Sequence, residues 1–142
     1  MITGVVNDRR EALIRVKLYG PAGQGQEIEA IIDTGFDGWL SLPASLIEQL
    51  GLPWHRRGRA LLADGSESVF DIYEATVEWD GQLRRIPVDQ AETFPLIGMS
   101  PLEGYELCVQ VQTGGNVTVR ALSQAGGGHP PSVIPIRVVG FA

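Results

Sequence analysis

The chain has 142 residues, 44% of them hydrophobic, and a formal net charge of −6. That length supports one domain, and that apolar content fills a core without disulfide staples. The acidic balance is spread along the chain and lacks the basic face that phosphate binding needs, so nucleic acid is not expected as a partner.

The first ten residues, MITGVVNDRR, contain no apolar signal core, and no stretch approaches membrane-spanning length. No membrane partner and a cytoplasmic location are therefore expected. Residues 11–19 alternate apolar and polar and read as a strand; 20–25 form a turn. The next strand spans 26–33, with Ile28, Ala30 and Ile32 on one face. A short strand over 39–42 precedes Pro43, which opens a helix over 44–50 that stops at Gly51. Residues 58–70 read as a hairpin around Asp64-Gly65, and the strands 68–79 and 82–88 flank Asp80-Gly81.

A helical turn is expected over 101–104, then a final hairpin over 106–112 and 116–122 around Gly114-Gly115. The lone Cys108 lies in the strand 106–112 and is expected to point into the core as a small apolar residue. Many short strands, frequent glycine turns and little helix predict an all-β barrel. The domain is expected to span 1–122, followed by a Gly/Pro linker and apolar tail over 123–142. Within that tail, 133–139 reads as an edge strand with Pro135 limiting its ladder. It either pairs with a partner subunit or is free; the first is favoured, because a free apolar tail invites aggregation.

His55 and His129 are the only histidines, so a His-rich metal site cannot be built, and no Gly-x-Ser-x-Gly elbow is present. The basic run His55-Arg56-Arg57-Gly58-Arg59 reads first as a solvated strand entrance, and second as a contact with acidic groups on substrate or on a partner subunit.

Asp33-Thr34-Gly35 carries the most chemistry. It places an acid directly after the aliphatic Ile31-Ile32, at the end of a strand and the start of a sharp turn. Alone, the triplet is an ordinary Asp-containing turn. Its context is the hairpin 58–70 and then Leu96-Ile97-Gly98. This order resembles the retropepsin-like aspartic proteases, and the strings IDTGFDGWLSLP and PLIGMSPLEGYEL look like their small bacterial members.

The resemblance implies a closed barrel with one short helix, acting as a two-fold homodimer that hydrolyses peptide or protein substrates. Asp33 would be catalytic. Peptide hydrolysis of this kind needs two carboxylates sharing a proton, and the chain offers only one such triplet, so the second acid would be Asp33 of another copy. Thr34 would bond across the axis, and Gly35 would let substrate backbone pass. Leu96, Ile97 and Gly98 would support the loop without touching substrate. Asp64, Gly65 and Ser66 would form the tip of a flap, with Leu62 also on the substrate. Asp37 matches an acid that binds substrate amides, or is a turn residue before Gly38. No metal or organic cofactor is implied.

Two residues depart from the pattern. Phe36 replaces a small residue and would fill part of a substrate pocket. Met99 stands where retroviral relatives carry an Arg, so the Arg-Asp bracing of their dimer is missing and another interface would have to serve. The alternative to an endopeptidase is a catalytically weak peptide-binding or dimerisation module of the same fold. The intact triplet favours the enzyme.

Overall fold

A computed structural model describes residues 1–123 and 137–138. The expected linker and most of the apolar tail lie outside the described residues. In order, the elements are β1 (Ile2–Val6), β2 (Ala12–Tyr19), β3 (Gly25–Ile32), β4 (Leu40–Leu42) and α1 (Ala44–Leu50). Then come β5 (Trp54–Leu61), β6 (Glu67–Trp79), β7 (Gln82–Gln90) and β8 (Leu96–Ile97), followed by β9 (Tyr105–Val109), β10 (Asn116–Ala121) and β11 (Arg137–Val138). The fold is mostly β with one short helix. Among the described residues no helix is long and apolar enough to cross a membrane.

The chain divides into two packed units, and the boundary runs within β2. The first holds Met1–Ile14 and the described residues from Leu102 onward. There β1 pairs antiparallel with β10 and with the start of β2, β10 pairs antiparallel with β9, and β11 runs parallel to β9. Side chains of β9 alternate: Leu107 and Val109 are each 1% exposed, while Cys108 between them is half-buried. The expectation that Cys108 enters the core is therefore corrected. Strand periodicity commits the face of Leu107 and Val109 to the interior and turns Cys108 the other way. The helical turn expected over 101–104 is a set of plain turns.

The second unit, Arg15–Pro101, carries the candidate site. Its strand pairings run in a ring, β2-β3-β8-β4-β7-β6 and back to β2, with β5 added on β6. β3 buries Ile28, Ala30 and Ile32 and turns Glu27 and Glu29 outward, where both face Arg15 of β2. Pro43 is the N-cap of α1, and the first helical N–H, that of Ala44, donates to Glu92 Oε1 at 3.0 Å. The helix ends where Gly51 adopts φ 63° and donates to Glu48. Ile47 and Leu50 are its buried face.

The two Asp-Gly hairpins differ. Asp80 and Gly81 both have positive φ (50° and 82°), the signature of a two-residue type I′ turn between Trp79 and Gln82. At the other hairpin only Gly65 is positive, at 87°, within a three-residue loop closed by Leu62 N–H donating to Ser66 at 2.7 Å.

Candidate active site

Asp33 follows β3 directly, and β8 fixes it. β3 and β8 are parallel, with Ile32 opposite Ile97. The Asp33 N–H donates to the Ile97 carbonyl at 2.8 Å, and Ile31 N–H to Pro95 at 2.9 Å. Beyond Asp33 the chain turns on its own carboxylate: Oδ1 accepts the Gly35 N–H at 2.9 Å. The Phe36 N–H reaches back to the Asp33 carbonyl at 3.2 Å. A Cβ on Gly35 would stand 3.3 Å from that same Oδ1, so the glycine keeps the acid unobstructed.

The rest of the loop is laced to residues 98–100. Gly98 N–H donates to Trp39 at 3.1 Å, Met99 N–H to Phe36 at 2.8 Å, and Ser100 N–H to Gly38 at 3.1 Å. The Ser100 hydroxyl donates to the Asp37 carbonyl at 2.7 Å. These bonds tie the loop after Asp33 to the segment that follows β8. Ser100 gave no signal in the sequence, since a lone serine after Met99 has no motif of its own. Gly98 is required by contact: a Cβ there would lie 2.2 Å from the Gly38 oxygen.

Asp33, Gly35, Phe36, Asp37 and Leu96 line a cleft of about 750 Å³. Leu96 thus faces the cleft, whereas only a supporting role was expected of it; Ile97 is buried beneath and Gly98 sits against the loop. Thr34, beside the acid, is half-buried. A second wall comes from the β5–β6 hairpin through Arg59, Ala60, Ser68, Val69 and Phe70. The hairpin tip residues Leu62, Asp64, Gly65 and Ser66 are exposed and lie outside the lining. At that tip the Ser66 hydroxyl and N–H donate to Asp64 Oδ1 at 2.5 and 2.9 Å, which holds the Asp64 carboxyl below its usual range.

Sequence reasoning missed Ser41 and Asp89, which also line the cleft. The available signal was an acid inside the alternating run of β7. Burial raises the Asp89 carboxyl above its ordinary range; the Arg56 charge opposes this and the Asp37 charge adds to it.

The basic run on β5 meets acids on β6. Trp54 Nε1 donates to Asp71 at 3.1 Å, Arg57 lies 3.6 Å from Asp71, Arg59 lies 4.0 Å from Glu67, and His55 lies 3.9 Å from Glu74. The cations of these pairs are exposed and Asp71 and Glu74 are half-buried, so solvent screens the pairs and they contribute little to stability. They fit the reading of a solvated strand, except that Arg59 also borders the cleft. Among the described residues no three His, Cys, Asp or Glu side chains are grouped to hold a metal ion.

No known protein family and no curated protein sequence matches this chain. Among solved structures it is similar to the crystal structure of a retropepsin-like aspartic protease from Rickettsia conorii. The TM-score is 0.54 at 16% identity, over 85% of this chain and 90% of that one. At this identity the likeness shows a retropepsin-like fold and nothing finer.

Proposed function

We propose that the chain is an aspartic endopeptidase whose dyad is formed by Asp33 from each subunit of a two-fold homodimer. One observation carries the reading. An acid is fixed by backbone bonds at the end of a strand, inside a cleft walled on another side by a long hairpin. The retropepsin-like fold agrees with it. The closed barrel expected from the sequence belongs to the same proposal.

The chemistry follows from what two such acids do together. One carboxylate takes a proton from a water held between them, and that water's oxygen attacks the scissile carbonyl carbon. The other, protonated, donates to the carbonyl oxygen as it gains charge. Collapse of the tetrahedral intermediate breaks the C–N bond, and the departing nitrogen takes a proton from the pair. Gly35 leaves room for the substrate backbone beside Asp33. Among the described residues β5 pairs with β6 alone, so an extended peptide would have an edge to lie along.

Incubation of the protein with a peptide library, for the wild type and Asp33→Asn, tests the reading. Cleavage by the wild type that disappears in the variant is expected. Near-normal cleavage by Asp33→Asn overturns the assignment. Peptide binding by the wild type with no cleavage at all leaves the peptide-binding module in its place.

A further inference from the structure

Hydrolysis by Asp33 makes no use of the polar pair that β4 and β7 contribute to the cleft. β4 and β7 run parallel with Ser41 opposite Asp89. Their neighbours Leu40, Leu42 and Val88 are 0% exposed and face the interior. Strand periodicity therefore turns Ser41 and Asp89 together to the other side, and both line the cleft.

Ser41 is 4% exposed, and its Oγ has no hydrogen-bond partner among the described residues. A buried hydroxyl left unpaired in a cleft wall is a group waiting for a partner from the cleft. Asp89 Oδ2 lies 3.6 Å from where a Cβ on Gly38 would stand, so this carboxylate comes up against the Asp33 loop beside Asp37. Three acids, Asp33, Asp37 and Asp89, thus share the cleft with one lining cation, Arg59, which is drawn toward Glu67. Arg56 stands beyond Ile72 in the cross-strand row that contains Asp89.

We propose that Asp89, Ser41 and Asp37 form a subsite that selects a basic side chain, Lys or Arg, at one position of an extended peptide bound in the cleft. An ammonium or guanidinium brings several donors and no acceptor, which suits one hydroxyl oxygen and two carboxylates. Burial and the Asp37 charge disfavour the ionised form of Asp89 and the Arg56 charge opposes them, so a bound cation would act in the same direction as Arg56. A neutral alkyl chain would leave Ser41 unpaired and bring Asp89 no charge beyond that of Arg56. The proposal rests on the reading of the cleft as a peptide site.

The test measures binding by fluorescence anisotropy, using Asp33→Asn protein so that nothing is cut. The probes are labelled apolar octapeptides carrying lysine, norleucine or glutamate at each position in turn. At one position lysine is expected to bind about tenfold tighter than norleucine, with glutamate weaker than both. That ratio should approach one when Asp89→Asn is added, and should shrink several-fold with Ser41→Ala. A ratio taken within one variant cancels any change in the fraction folded. Equal lysine preference at every position would mean diffuse attraction to an acidic protein and overturns the subsite. An undiminished ratio in both added variants, or no binding of any probe, overturns it as well. Hydrolysis of the same probes by the wild type reads the peptidase proposal separately. Cleavage without lysine preference sinks only the subsite; lysine-selective binding without cleavage sinks only the enzyme.

Discussion

Gly98 and Gly38 meet backbone to backbone: a Cβ on Gly98 would lie 2.2 Å from the Gly38 carbonyl oxygen and 2.8 Å from its carbon. The contact is possible only because residue 98 lacks a side chain. It lets Gly98 N–H reach Trp39 and Ser100 N–H reach Gly38, so the loop after Asp33 is held from behind.

Gly98→Ala is accordingly expected to destabilise the protein by about 1–3 kcal/mol, the usual range for an overpacked site. The atom in the way is backbone and has no rotamer to escape into. Urea unfolding followed by intrinsic fluorescence reads the change in midpoint. A variant as stable as the wild type would show that the loop moves freely off residues 98–100.

Loss of the Asp33 carboxylate should lower peptide cleavage by at least about 10²-fold while the thermal midpoint stays close to the wild type, since only the shared proton and base are lost. Because each copy would hold half a site, activity should also rise more steeply than linearly with protein concentration near the dimer dissociation constant. Thr34→Ala should shift that curve to higher concentration. Analytical ultracentrifugation beside the assay decides the point, and an active monomer contradicts the dimeric site.

Gly65 has φ 87° and open space where a Cβ would stand, so any penalty there comes from the backbone alone. Gly65→Val should strain the hairpin tip by about 1–3 kcal/mol, and Gly65→Asn by less, because Asn tolerates positive φ. If the hairpin closes over substrate, turnover should fall in the order Gly, Asn, Val, measured as kcat/KM on one peptide. Equal rates in all three would make residues 58–70 an ordinary surface hairpin.

The raised Asp89 carboxyl predicts a pH signature in stability. Its folded-state pKa lies above the ordinary 3.8, chiefly through burial. At pH well above the folded value both states are ionised, and folding carries the whole penalty of burying the charge. As pH falls through the folded value, the native state takes up the proton and the penalty fades; below the unfolded value it is gone. Asp89→Asn should therefore melt higher than the wild type near neutral pH, with the gap closing toward pH 3.8. Melting curves of both proteins across that range check it, and a gap that widened on acidification would refute the sign.

Local chemistry made much of this protein readable. Pro43 and Gly51 bracket a helix found at 44–50, because caps and breakers act within a turn of where they stand. Asp80-Gly81 and the glycine-rich turn at 114–115 announced their hairpins through backbone freedom that few residues share. Asp33-Thr34-Gly35, an ordinary turn by itself, stood out through the hairpin 58–70 and Leu96-Ile97-Gly98 that follow it in order.

What had no local signal was decided by pairing between distant segments. β1, with Thr3 and Gly4 interrupting its apolar residues, is a strand only because β10 and β2 flank it. Two residues, Leu96 and Ile97, form β8 only because β3 and β4 lie on either side. The orientation of Cys108 follows from Leu107 and Val109 taking the interior, a choice made by the sheet and not by the cysteine. Ser41 and Asp89 stand 48 residues apart, and neither belongs to a motif. Their shared place in the cleft comes from the parallel register of β4 on β7, which sets side chains of two remote segments on one face. A strand's alternation shows which residues share a face, but only its partners determine what that face meets.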